Sequence, residues 1–514
     1  MATDPDEPRG GWDDVVVGAG SSGAVLAARL SEQPDRRVLL LEAGTAPSGG
    51  GDSPVLAGSN WDFSAYVGDA GPDGRLYPYP VGRVLGGSSA VNGGLALRGL
   101  PADFDGWAAA GHDRWAWRHV LPHFVRLEAD ADFKDDDPGH ACHGSDGPLP
   151  LRRPAAAELT PLAAGFLRAC RALGLPAVAD LNSPAGLLGA GPIPLNTVGR
   201  RRVSTADAYL TPALHRPNLT VWQNCRALRV LTEGGRATGV TVLRDGLPRT
   251  VRAGQLALSA GSVNTAALLL RSGIGRADAL TALGIRPVAD LPGVGENLAE
   301  HAIIALWALT RPGVTGADDP MHQVLARISS RGEPAPDLNL TLVNTLAGLA
   351  VPGIAEVLRG RPAMSLHATL LSPASRGTVT LGRDGEPVIA LRLASEPDDV
   401  ERLMAGMRQV WELVRQSELA AHLDRVLVWT DRMVQEDAML RRAVTRFVSP
   451  AWHPCGTARM GPADDPGAVV DQQLNVHGVD GLRVVDASVL PSVPSAPTNL
   501  SSVMIAERAA GWMR

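Results

Sequence analysis

The segment WHPCGTARMG, Trp452 to Gly461, sets a histidine between a tryptophan and a proline, ahead of two glycines and an arginine. An imidazole has a pKa suited to taking a proton near neutral pH, so His453 is a candidate general base. Alone in a turn it reads equally as a structural histidine, and it needs partners. The other end of the chain supplies a second chemical signal. Gly18-Ala-Gly20-Ser21-Ser22-Gly23 matches GxGxxG, follows the apolar run Asp13–Val17 and opens a helical stretch, Gly23–Leu30. Gly18 allows the tight turn, Gly20 lets the backbone approach a pyrophosphate, and Gly23 lets the helix pack on the strand. The helix N-terminus offers N–H groups and positive potential to phosphates. A second apolar run, Arg37–Glu42, ends in a carboxylate that can accept hydrogen bonds from adenosine ribose hydroxyls. This is a dinucleotide-binding β-α-β unit. It does not separate FAD from NAD, and the acid at Glu42 weighs against the 2′-phosphate of NADP.

The elements that must position these groups follow from composition and periodicity. Gly44–Pro80 is rich in Gly, Pro, Ser and Asp and reads as an irregular excursion. Gly86–Gly94 is glycine-dense. Trp107–Leu127 is amphipathic and predicts a helix, and Asp130–Pro150 is polar, turn-rich and a candidate domain boundary. Thr160–Gly174 and Asn264–Ser272 predict helices. Thr220–Val242 and Arg252–Leu258 predict strands, with a turn at Gly234-Gly235. His301–Val444 mixes strands and helices, and the C-terminal segment returns to strand, loop and helix.

Bulk properties narrow the class. A chain of 514 residues, 45% hydrophobic and 20% charged, has the composition of a globular protein of two or three domains. Net charge is −6 with no long basic run, which argues against nucleic acid or an anionic membrane as partner. The four cysteines are scattered, without a CxxC pair, so no metal site and no disulfide framework is expected. The N-terminal MATDPDEPRGGWDD lacks the apolar core of a signal peptide, and no stretch is long and apolar enough to span a bilayer, so a cytoplasmic protein is expected. Abundant arginine beside a single lysine, Lys134, suggests a GC-rich, bacterial genome.

Four further segments carry a resemblance. GRVLGGSSAVNGG (82–94), SAGSVNTAALLLRSGIG (259–275), LPGVGENLAEH (291–301) and HPCGTARMG with LRVVDASVLPSVPSAPTNLSSVMIAE at the C-terminus resemble the glucose–methanol–choline (GMC) oxidoreductases, and SRGTV at 375–379 fits as well. The resemblance implies an α/β (α+β) fold. A discontinuous Rossmann-like FAD-binding domain would span 1–150, 206–301 and 446–514. A substrate domain on an antiparallel sheet would span 151–205 and 302–445. By motif matching, the cofactor contacts are Gly18, Gly20, Ser21, Ser22, Gly23, Glu42, Ala43, Arg83, Gly86, Gly87, Ser88, Asn92, Gly93, Gly94, Ala260, Gly261, Asp486, Ala487 and Asn499, with Val230 flanking the adenine. Some members attach FAD through a histidine at the position that is Val91 here, so non-covalent FAD is expected.

The resemblance makes His453 the base that removes the alcohol proton as hydride passes to flavin N5, with Asn499 as its orienting partner. Asn499 also fits a helix N-cap. Cys455 reads as a small apolar neighbour, Glu300-His301 as a structural pair closing the FAD domain, Trp452 as pocket wall or packing, and Asp135–Asp137 as a solvated loop. The substrate segments carry much Leu, Val and Ala, with no charged cluster for a sugar acid and no aromatic cage for a quaternary ammonium. That points to a moderately apolar alcohol. The electron acceptor stays open between oxygen, a quinone and others, and the oligomeric state is open. The alternative on the same fold is a non-redox or photochemical FAD enzyme, hydroxynitrile lyase-like or decarboxylase-like.

Overall fold

Three sheets organise the chain. The computed structural model describes residues 11–47, 60–68, 75–133, 140–186, 188–316, 318–346 and 354–513. The acidic N-terminal segment, much of the Gly44–Pro80 excursion and the Asp135–Asp137 run lie outside these residues. Among the described residues no helix is long and apolar enough to cross a membrane.

The glycine-loop unit forms as its pattern requires. β1 (Trp12–Val17), α1 (Gly23–Leu30) and β2 (Val38–Leu41) are buried almost throughout. Both strands are continuous apolar runs, as a parallel strand covered on two faces must be. β1 pairs in parallel with β2 on one side. The seven-stranded sheet is completed by Leu219–Trp222 beside β2, a meander of Cys225–Glu233, Arg236–Arg244 and Leu247–Leu258, and Leu482–Val484. The meander's last strand returns along the other side of β1. The chain thus leaves β1 for neighbours on both sides, and the carboxyl ends of the strands open on one crevice.

The Gly44–Pro80 stretch is not wholly irregular. It contains the hairpin β3 (Asn60–Val67) and the start of β4 (Arg75–Gly82). Pro78 and Pro80 hide the strand in the sequence. β4 is an edge strand of its four-stranded sheet, where a missing N–H costs no ladder bond. The helix expected over Trp107–Leu127 is two helices, α2 (Pro101–Ala109) and α3 (Trp117–Leu127). Gly111, at φ +97°, turns the chain between them.

The third sheet is antiparallel, with seven strands. Its centre is β5 (Ala302–Thr310), β6 (Val324–Ile328), β7 (Leu338–Val343) and β8 (Ala363–Leu370), and Gly189–Pro192 and Leu423–Leu427 stand at its edges. One face packs on the long helix Pro397–Arg415 through Ile304, Leu306, Leu340, Leu366, Ala368 and Met407, all buried. Gly406 brings that helix close, since a Cβ there would lie 2.8 Å from the Ala368 side chain.

Asp130 and His143, from the ends of the polar 130–150 stretch that are described, contribute to the interior. His143, 2% exposed, places Nδ1 3.0 Å from Glu128 and 3.1 Å from Asp130, and Nε2 3.1 Å from Asp180. Arg98 pairs with Glu128, and Arg153 with Asp130 and Asp180. With His143 protonated, three carboxylates face three cations, the balance a buried charge cluster needs. Burial disfavours the imidazolium, but hydrogen bonds to Asp130, Asp180 and Glu128 outweigh it and raise the His143 pKa to about 10. A raised pKa stabilises the fold fully below the ordinary 6.5, and that contribution is lost as pH rises through about 10. His143→Ala is therefore expected to destabilise by about 3–5 kcal/mol near neutral pH. The gap to wild type should shrink on going to alkaline pH, as followed by urea unfolding, and a gap that is constant with pH would contradict the protonated assignment.

Candidate active site

A cavity of about 510 Å³ lies across the carboxyl ends of the parallel strands and continues to the antiparallel sheet. Gly18, Gly20, Ser21 and Ser22 line it after β1, Glu42 and Ala43 after β2, Ala260 and Gly261 after Leu247–Leu258, and Asp486 and Ala487 after Leu482–Val484. Gly87, Ser88, Asn92 and Gly93 face them, and His453 and Asn499 line the same space. Residues hundreds of positions apart meet here because each follows a strand end of one sheet, belongs to a loop folded over those ends or, like Asn499, stands in the first turn of the last helix.

The glycine loop has the geometry a pyrophosphate cradle needs. A Cβ at Gly23 would lie 1.8 Å from the Gly18 carbonyl, so only glycine lets α1 approach β1. Gly87, at φ +52°, rests against Gly20, and a Cβ there would lie 2.6 Å from the Gly20 Cα. The Glu42 carboxylate accepts from the Ala19 and Gly44 N–H groups at 2.9 and 2.8 Å, and burial raises its pKa to about 7. It still lines the cavity, so the hydroxyl donors of a ribose would complete its shell. Asp486 accepts from the Gly261 N–H at 2.9 Å and the Thr265 hydroxyl at 2.6 Å, tying two of the strand-end loops together. The residues present fit an adenine dinucleotide.

Five expected contacts take other places. Gly23 packs α1 on β1, as above. Gly86 donates its N–H to the Ala19 carbonyl at 2.8 Å, and Gly94, at φ +72°, turns the loop after Asn92. The Arg83 guanidinium lies 5.1 Å from the centre of the Trp61 ring. Val230 does not line the cavity. It is 1% exposed in the core, and Cys225, Arg226 and Ala227 line the cavity from its strand. Val230 lies three residues further along the strand, where its N–H donates to the Ser272 hydroxyl at 2.9 Å. Asn499 is not the N-cap either, because the last helix already begins at Thr498.

His453 is held from two sides. Its backbone N–H donates to both oxygens of Glu300, at 2.8 and 3.0 Å, and the Tyr79 hydroxyl donates to the same carboxylate. Burial pushes the Glu300 pKa up to about 8, against those hydrogen bonds. The preceding residue, Trp452, sits at φ +60°, a strained conformation for a side chain of this size. Backbone bonds between Ala299 and Cys455 in both directions, each 3.0 Å, fix the segment. Cys455 is fully buried, and burial raises its thiol pKa, in keeping with a packing role. Trp452 is 40% exposed, lies against Tyr77 and lines the cavity.

The ring of His453 meets His301, with the two Nδ1 atoms 2.9 Å apart. His301 Nε2 lies 3.1 Å from the Leu371 carbonyl and 3.0 Å from the Pro494 carbonyl. Carbonyls only accept, so Nε2 carries a hydrogen. Burial lowers the His301 pKa to about 4, so the ring is neutral and its Nδ1 is a bare acceptor. His453 must therefore donate from Nδ1. Burial, then the neighbouring His301, push the His453 pKa well below 6.5, so this ring too is neutral, with its basic lone pair on Nε2. The pair Glu300-His301 is thus part of the reactive end and not only a closure of the fold. Its sequence signal was the position of GENLAEH beside other motifs; its 152-residue separation from His453 hid the contact. Asn499 Oδ1 accepts from the Ser21 hydroxyl at 2.9 Å, which leaves its amide N–H groups as donors.

The chain is similar to known proteins along most of its length. The family models described as GMC oxidoreductase match residues 12–303 and 373–506. The chain is 37% identical to a 5-(hydroxymethyl)furfural oxidase of Methylovorus sp., covering 97% of this chain and 98% of that protein. It is 34% identical to the mitochondrial choline dehydrogenase of Homo sapiens, over 99% and 91% of the two chains. The crystal structure of pyridoxine 4-oxidase from Mesorbium loti superposes with a TM-score of 0.88 at 34% identity, over 98% and 99%. An FAD-dependent oxidoreductase from Chaetomium thermophilum shares the fold, with a TM-score of 0.84 at 23% identity over 97% and 98%.

Gly87→Ala tests the cradle. The added methyl is expected to displace Gly20, and the purified variant, folded by circular dichroism, should release little or no dinucleotide on denaturation. Wild-type loading of that variant would show that the Gly20–Gly87 contact does not shape the binding loop.

Proposed function

The chain belongs to the GMC oxidoreductase family, an FAD-binding family acting on CH–OH groups, and on that premise we propose that it oxidises an alcohol with His453 as general base. The observation that carries this reading is the His301–His453 contact, which leaves a neutral imidazole with its lone pair on Nε2 in the cavity. FAD, when bound along Gly18–Ser22, Glu42, Asn92 and Asp486, supplies the hydride acceptor. The chain's own residues do the rest. His453 takes the hydroxyl proton at Nε2 and keeps its Nδ1–H bond to His301, so no ring flip accompanies the transfer. The amide of Asn499 donates to the substrate oxygen as negative charge develops there. Glu300 holds the His453 backbone, and so the ring's position. Val91, an alkyl side chain at the lining of the cavity, offers no nucleophile, and FAD is bound non-covalently in this reading. The FAD-binding domain is proposed to combine 1–150, 206–301 and 446–514, and the substrate domain 151–205 and 302–445.

His453→Ala is expected to keep the yellow cofactor and to slow anaerobic flavin reduction by alcohol about 10²–10⁴-fold. Unchanged reduction would remove His453 from the reaction, whereas a wild-type flavin that no alcohol reduces would favour a non-redox or photochemical role. In wild type, protonation of His453 abolishes the base, and its pKa is depressed. The reduction rate should therefore stay level above pH 6.5 and fall only well below it. His301→Leu removes the acceptor that fixes the tautomer, so kcat is expected to fall by about 10²-fold, while His301→Gln, whose amide oxygen can accept, should recover part of it. Equal activity of the two variants would sink the tautomer argument.

A further inference from the structure

The antiparallel sheet has one apolar face and one mixed face, where Ile303, Ala305, Trp307, Leu325 and Val343 stand beside polar groups. Toward the helix Pro397–Arg415 its side chains are apolar. Toward the cavity the alternate positions carry Asn339, Thr341, Ser365, His367 and Thr369, joined by His322 from the chain entering β6. The register sets them side by side, with Asn339 opposite Thr369, and Thr341 opposite His367. An apolar floor would cost nothing to bury, whereas each of these groups loses water when the cavity fills. Buried polar atoms are ordinarily paired. Here His367 Nε2 has the Ser365 hydroxyl at 2.8 Å. His322 Nδ1 and Asn339 Oδ1 have no hydrogen-bond partner among the described residues.

The side chains of this face that line the cavity are uncharged; Arg327, opposite Asn339 on the same face, is buried behind the lining near Asp103. Burial holds His322 near a pKa of about 4 and His367 near about 3, so both imidazoles are neutral and offer one donor and one acceptor each. The carboxylates among the described cavity residues, Glu42 and Asp486, belong to the dinucleotide loops. A cationic substrate would find no counter-charge among the lining residues of this face, and the arginines that line the cavity, Arg226 and Arg271, stand at its dinucleotide end. Trp307 and Val343, on the same face, supply apolar surface between the polar groups. His322 meanwhile packs on the cofactor loop, since a Cβ at Gly93 would lie 3.0–3.2 Å from its ring.

We propose that this floor selects a neutral alcohol bearing a second hydrogen-bonding oxygen or ring nitrogen, in preference to an amino alcohol cation or a plain hydrocarbon alcohol. The inference rests on the alcohol-oxidation reading above and names its substrate class. The reacting hydroxyl lies at His453, and the second polar group is received by the His322, Thr341 and His367 side of the cavity.

The test compares three alcohols in anaerobic flavin reduction by the FAD-loaded enzyme: para-(hydroxymethyl)benzyl alcohol, para-methylbenzyl alcohol and choline. The diol differs from the methyl compound only in the second polar group. Its kcat/KM is expected to exceed that of the methyl compound by about tenfold or more, with choline slowest. Thr341→Val, nearly isosteric, and His367→Phe should each bring the diol-to-methyl ratio toward one while the protein stays yellow. A methyl compound as fast as the diol, choline as the best substrate, or a ratio that neither variant changes would overturn the inference and leave alcohol oxidation standing. A flavin that none of these alcohols, nor a wider set of primary alcohols, reduces would overturn the oxidation reading itself.

Discussion

In the proposed reaction, the position and tautomer of His453 depend on one clasp. The segment Ala299–His301 is hydrogen-bonded to Trp452–Cys455, and everything that makes His453 useful passes through it. Glu300 fixes the backbone, His301 fixes the tautomer, and the two carbonyls on His301 fix His301 in turn. A general base must have the right protonation state and the right nitrogen exposed. The clasp sets both by geometry. It also holds Trp452 at a positive φ, a strain the surrounding bonds must offset.

Burial does two jobs in this protein, and sign separates them. Around His143 the imidazole is surrounded by carboxylates, and their hydrogen bonds keep it charged. Around His301, His322, His367 and His453 there is no such compensation, and desolvation keeps the rings neutral. The first arrangement joins Arg98, Glu128, Asp130, His143, Arg153 and Asp180 into a framework. The second gives a cavity whose histidines accept protons or hydrogen bonds without carrying charge at rest.

The antiparallel sheet shows why composition alone does not describe a binding surface. The abundance of Leu, Val and Ala in its strands suggests an apolar alcohol, but most of those side chains point at the helix Pro397–Arg415. The period of two places the polar residues on the opposite face, toward the cavity. Counting residues in a strand averages over two surfaces that never meet the same ligand.

The sequence by itself determined the local units. GxGxxG with Glu42 requires a strand, a tight turn and a helix in direct succession, and the glycines are there for steric reasons a reader can state. The motifs likewise carried the family and located His453, Asn499 and Asp486 at the cavity. Other features rested on contacts between distant segments, which no local pattern encodes. The β3–β4 hairpin was masked by prolines that only an edge strand tolerates. The place of Val230 turned on how far along its strand the cavity reaches, which is to Ala227. The partner of His453 lay 152 residues away, in a pair that reads as structural. Tertiary structure alone decided which nitrogen of His453 is basic, because that depends on what the neighbouring ring is obliged to do with its own hydrogens.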